Sequence, residues 1–114
     1  PRFGGVYSND QLSNPEPNHF YVLNLQDSNM PGSHWTLLCD GWYFDSYAVV
    51  PTKRISKFVK TYNTKPYQGL NRDSCGHFVS YVGWHLLHGL PPTGDLVPGR
   101  YTHNENVLER FFYS

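Results

Sequence analysis

The chain has 114 residues, nine basic and nine acidic side chains for a formal net charge of zero, and 17% aromatic residues. A chain of this size can bury roughly two-thirds of its unfolded surface in one core, so a single domain over residues 1–114 is expected. Zero net charge excludes a general attraction to nucleic acid, two cysteines exclude a disulfide framework, and no apolar run reaches the roughly 20 residues that cross a bilayer. The expectation is a soluble, non-secreted protein of a reducing compartment, with no membrane contact. Residue 1 is Pro rather than Met, which fits either a processed product or an excerpt of a longer precursor.

Residues 1–18, rich in Asn, Pro and Gly, read as a loop. Residues 19–25 read as a strand, and residues 27–33 break it with Asn, Pro and Gly. Two β-prone runs, His34-Trp35-Thr36-Leu37-Leu38-Cys39 and Trp42-Tyr43-Phe44-Asp45-Ser46-Tyr47, then flank Asp40-Gly41, the strongest short hairpin signal. In that register Cys39 faces Trp42, Leu37 faces Phe44, Thr36 faces Asp45 and Trp35 faces Ser46. Period two puts Trp35, Leu37, Cys39, Trp42 and Phe44 on an apolar face, and His34, Thr36, Tyr43, Asp45 and Tyr47 on the other. His34 and Asp45 become diagonal neighbours, about 7–8 Å apart at the backbone, within side-chain reach of a hydrogen bond. Cys39 becomes a core residue.

Residues 52–62 have the period of an amphipathic helix, with Ile55, Phe58, Val59 and Tyr62 on one side and Lys53, Lys57 and Lys60 on the other, joined by Arg54. That basic run suits a solvated face or a weak polyanion contact. Next comes Gln68-Gly69-Leu70-Asn71-Arg72-Asp73-Ser74-Cys75-Gly76-His77-Phe78. Asp73 or Ser74 can cap a helix whose apolar stripe is Phe78, Val79, Val82 and Leu86, which puts the Cys75 thiol at the positive end of the helix field. The helix should stop at Gly89, ahead of Pro91-Pro92. A final helix is expected from Thr102, where Thr102-His103-Asn104-Glu105 fits a capping box, burying Val107, Leu108, Phe111 and Phe112. Trp42 and Trp84 read as packing residues. His85 and His88 lie three apart, but no Cys or carboxylate set completes a zinc spacing, so no metal is expected.

These elements supply the four parts of a cysteine hydrolase. Cys75 is the candidate nucleophile, His34 the base, Asp45 the acid that fixes the base's tautomer, and Gln68, with Cys75, the oxyanion hole. Trp35 beside the base, with Tyr43 and Tyr47 on its face of the hairpin, suggests a narrow substrate groove in which a Cβ would crowd the sulfur, favouring glycine at the cleaved bond.

The stretch Gln68-Gly69-x-Asn71-x-x-x-Cys75-Gly76-x-Phe78, preceded by Gly32-x-His34-Trp35 and Tyr43-Phe44-Asp45-Ser46, resembles the adenovirus endopeptidase (adenain) family of viruses and virus-like elements. More distantly it is similar to the SUMO-specific proteases of the same clan. The resemblance implies an α+β fold, a small mixed sheet packed on a helix that begins at Cys75. It implies the same four roles, His34, Asp45, Gln68 and Cys75, and cleavage next to Gly. The implied function is a thiol endopeptidase that matures viral structural precursor proteins, as a monomer, in the virion or the infected-cell interior, nucleus or cytoplasm. No cofactor is required. The family's disulfide-linked activating peptide is not carried over, because residues 60–67, where a cysteine pairing with it would stand, contain none, and activation by DNA is not supported at zero net charge. The alternatives are a protease for ubiquitin-like modifiers and a non-catalytic virion or scaffold domain that keeps the fold.

Overall fold

A computed structural model describes residues 1–25, 34–69 and 74–113. In chain order the elements are β1 (Arg2–Ser8), β2 (His19–Asn24), β3 (Trp35–Cys39), β4 (Trp42–Phe44), α1 (Lys53–Ser56), β5 (Thr61–Tyr62), α2 (Cys75–Leu87) and α3 (Tyr101–Tyr113). The strands form one mixed sheet in the order β1-β2-β3-β4-β5. The three inner strands are an antiparallel meander, and β1 and β5 lie parallel to their neighbours at its two edges. The class is α+β, and α2 begins at Cys75, as expected from the apolar stripe that follows it.

The Asp40-Gly41 turn has φ of 47° and 83°, the two positive angles that a tight hairpin turn demands. It pairs Cys39 with Trp42, Leu38 with Tyr43 and Leu37 with Phe44. Both faces of the resulting sheet are buried. Phe20, Leu37, Cys39 and Phe44 pack under α2 and α3 with Phe78, Val82 and Val107. On the other face Tyr21, Leu23, Leu38 and Tyr43 pack against Ile55, flanked by Phe58 and Val59. The face that the alternation predicts to be polar is therefore a second core, with Thr36 and Tyr43 fully buried in it.

Four expectations are corrected. The opening segment forms strand β1 rather than a loop. Gly4 and Gly5 weaken its strand signal, yet a Cβ on Gly4 would run into the Tyr21 ring, and Gly5, at φ 124°, sits where the register with β2 shifts. The helix expected over residues 52–62 covers only Lys53–Ser56. Beyond it the N–H groups of Lys60 and Thr61 donate to the Gly41 carbonyl and draw β5 onto the sheet, so edge pairing overrides the helical period and leaves Tyr62 exposed.

Ser74 stands at the N-cap of α2, but its hydroxyl donates to Glu105 Oε2 of α3 at 2.9 Å instead of accepting from the helix. Asp73, the other cap candidate, and the break over residues 27–33 lie outside the described residues. Finally, α3 starts at Tyr101, and with Glu105 engaged by Ser74 no capping box forms. Val107 and Leu108 are buried, but Phe111 and Phe112 remain more than a third exposed, and so does Trp84. The stop at Gly89 is as expected, with φ 67°.

Candidate active site

His34 immediately precedes β3 and Asp45 immediately follows β4, so the hairpin delivers both to one end of the sheet. They meet beyond the last ladder pair, Leu37–Phe44, and not as diagonal partners inside it. His34 Nε2 donates to Asp45 Oδ2 at 2.9 Å. Asp45 is 1% exposed and held from several directions. Its Oδ1 accepts from the Tyr47 N–H at 2.8 Å, its own N–H donates to Asn63 Oδ1 at 3.0 Å, and Asn63 Nδ2 donates to its carbonyl at 2.7 Å. The Tyr47 ring covers His34, with centroids 5.2 Å apart.

Cys75 reaches this pair as the first residue of α2. With Nε2 committed to Asp45, the remaining ring nitrogen of His34 is the one that faces the thiol, and the two side chains are hydrogen bonded. Burial works against an ionised Cys75, but the His34 hydrogen bond, the backbone N–H of Trp35, the His34 charge and the Gly76 N–H outweigh it, and the thiol lies below its ordinary value. Burial likewise works against a charged His34. Its hydrogen bonds and ion pairing with Asp45 and Cys75 outweigh that too and raise it from 6.5 to about 9. The two groups move in opposite directions, the signature of a thiolate–imidazolium pair.

Gln68 is 1% exposed. Its Oε1 accepts from Ser46 Oγ at 2.6 Å and its Nε2 donates to the Tyr47 hydroxyl at 3.1 Å. The Ser46 carbonyl also accepts from the N–H groups of Tyr67 and Gln68 at 2.8 and 3.0 Å. Behind this segment Asn104, fully buried on α3, donates to the Tyr67 carbonyl at 2.9 Å. Sequence reasoning missed Ser46, Asn63 and Asn104. Each is a short polar residue whose role shows only in its hydrogen bonds to distant parts of the chain, Ser46 and Asn104 being buried and Asn63 half-buried.

The groove residues part company. Trp35 and Gly76 line an apolar groove of about 530 Å³ with Phe20, Val79 and Trp84, and the backbone of both contacts the Cys75 sulfur. Tyr47 stays half-buried over His34. Tyr43 does not belong to a groove, because it is fully buried in the second core, where desolvation pushes its phenol well above the ordinary value. Lys53, Arg54, Lys57 and Lys60 are exposed on and beyond α1, with Lys57 Nζ 5.1 Å from the centre of the Phe58 ring. His85 and His88 each bond a carbonyl one turn back, of Tyr81 and Trp84. Among the described residues no helix is long and apolar enough to cross a membrane. Comparison of the chain with protein-family models and with curated proteins returns no match.

Proposed function

We propose that the protein is a thiol endopeptidase that cleaves polypeptides beside glycine through an acyl-enzyme. The observation that carries this reading is the His34 ring, bonded to buried Asp45 at 2.9 Å on one side and to the Cys75 thiol on the other, with His34 raised to about 9 and Cys75 lowered. Cys75 Sγ attacks the scissile carbonyl carbon as a thiolate, and the charge that develops on oxygen is met by the Cys75 N–H and a Gln68 Nε2 hydrogen. The amide of Gln68 carries two such hydrogens, of which the Tyr47 hydroxyl takes one. As the C–N bond breaks, imidazolium His34 gives its proton to the departing amine. The neutral ring then takes a proton from the water that hydrolyses the thioester, and Asp45 keeps the tautomer throughout.

The chain order His34, Asp45, Gln68, Cys75 and the helix that begins at the thiol support an adenain-like fold. The resemblance of the Gln68–Cys75 stretch to that family supports a viral structural precursor as the natural substrate, processed in the virion or infected cell. Trp35, next in the chain to the base and with its backbone N–H against the Cys75 sulfur, supports the preference for glycine.

A peptide vinyl ester ending in a glycine-derived unit, which traps a thiolate as a stable thioether, followed by peptide mapping, tests the reading. The expected result is a single adduct on Cys75, together with cleavage of glycine-containing peptides that Cys75→Ala abolishes. Labelling of Cys39 alone, or a properly folded protein that neither labels nor cleaves, would leave a non-catalytic domain in its place.

A further inference from the structure

The tripeptide Asp45-Ser46-Tyr47 serves two separate parts of the site. Asp45 holds the base, while Ser46 and Tyr47 grip the two ends of the Gln68 carboxamide, at 2.6 Å on Oε1 and 3.1 Å on Nε2. We propose that Ser46 is a positioning residue for the oxyanion donor, its hydroxyl holding Gln68 Oε1 so that Nε2 is the end presented to the reacting carbonyl. This rests on the endopeptidase reading above.

Three observations make Ser46 more than a loop residue. It has no exposed surface, so its hydroxyl draws on no bulk water and its bond to Gln68 is not replaceable by solvent. It engages Gln68 twice, through Oγ on the side chain and through its carbonyl on the backbone N–H, which fixes both the root and the tip of the side chain. The adjacent Tyr67 N–H is tied to the same carbonyl, so the approach to Gln68 cannot swing about that anchor. A long, unbranched glutamine side chain otherwise has three rotatable bonds to immobilise, and a carboxamide turned end for end would aim an oxygen at a developing oxyanion. Held at both ends, the amide is set before substrate arrives, which is when an electrostatic donor is most effective.

The consequence is specific to one step. Ser46 touches neither His34 nor Cys75 in any described contact, so thiolate formation should be indifferent to it, whereas carbonyl addition should not. Ser46→Ala is expected to lower kcat by roughly tenfold with KM little changed, the loss of about one buried hydrogen bond in the transition state. Alkylation of Cys75 by iodoacetamide, which builds no oxyanion, should keep its wild-type rate and pH dependence. In a Gln68→Ala background the same substitution should have almost no further effect, because its beneficiary is gone.

Ser46→Ala with wild-type kcat, or with an equal loss in the Gln68→Ala background, overturns the proposal and leaves the endopeptidase reading standing. A folded wild type that cleaves nothing overturns both. Should Ser46→Ala fail to fold, Ser46→Cys keeps the side-chain shape with a poorer donor and is read by the same three measurements.

Discussion

Cys39 and Cys75 are equally hidden, at 6% and 4% exposure, and one packs in the cluster beneath the helix that the other begins. Their acidities nevertheless diverge. Burial and the neighbouring Asp40 carboxylate push Cys39 up to about 11. At Cys75 a comparable burial is overcome by the His34 imidazolium and two backbone N–H groups, and the thiol goes down. Burial alone therefore says nothing of whether a cysteine is inert. The sign is set by which charge shares the pocket, a carboxylate one residue away in the turn or a cation held at the start of β3, the strand on which α2 packs.

The strongest way to break that contrast is to remove the cation. His34→Ala should lower kcat/KM on the order of 10³-fold by removing the acid–base group. It should also drive Cys75 upward until it titrates like Cys39, which the ultraviolet absorbance of the thiolate follows directly. If Cys75 stays acidic without His34, the helix terminus and the N–H groups hold the thiolate, and the two cysteines differ by backbone geometry alone.

A titration sharpens the contrast without mutation. Because Cys75 lies below the ordinary thiol value of 9.0 and Cys39 at about 11, iodoacetamide should label Cys75 alone near neutral pH. The Cys39 rate should climb roughly tenfold per pH unit until its pKa is reached. Peptide hydrolysis should fall as pH rises through about 9, where His34 loses the proton destined for the leaving amine. The sign for stability follows from the same shift. A histidine raised from 6.5 to about 9 adds its full contribution below 6.5, and that contribution is lost as pH climbs to about 9. Equal labelling of both thiols near neutral pH would erase the distinction.

The smallest effect concerns the inert member. Cys39→Ser should leave kcat within about twofold of wild type while lowering stability by about 1–3 kcal/mol in urea unfolding, because a hydroxyl costs more than a thiol to bury in the core and its one polar neighbour, Asp40 Oδ2, lies 3.9 Å from the sulfur. An unchanged midpoint would mean that the pocket at Cys39 accommodates a polar atom and is less oily than its neighbours suggest.

The hairpin was legible because Asp-Gly admits few alternatives, and the register it imposes brought His34 to Asp45 and consigned Cys39 to the core. The start of α2 was legible from the stripe that follows Cys75. Three things were not. The first strand was hidden by two glycines explained only in the fold, Gly4 by the Tyr21 ring lying over it and Gly5 by its positive φ at the register shift. The basic helix was drawn too long because local period cannot anticipate that the Gly41 carbonyl will capture residues 60 and 61. The roles of Ser46, Asn63 and Asn104 were not legible, since their importance lies in what they bond across the chain. The alternation on β3 and β4 misled in a related way, for Thr36 and Tyr43 are polar by type and yet wholly enclosed.

The two-residue turn at Asp40-Gly41 also divides the site by the entropy of chain closure. His34 and Asp45 are brought together by a short loop whose ends the turn already holds, whereas the thiol must be recruited across a much longer stretch of chain before α2 can settle on the sheet. Loop-closure entropy thus makes the imidazole–carboxylate pair the local half of the machinery and the nucleophile its non-local half. A chain that has closed only its hairpin holds a base with nothing to activate. The fold ties the capacity to attack a peptide bond to the docking of a distant helix on the hairpin.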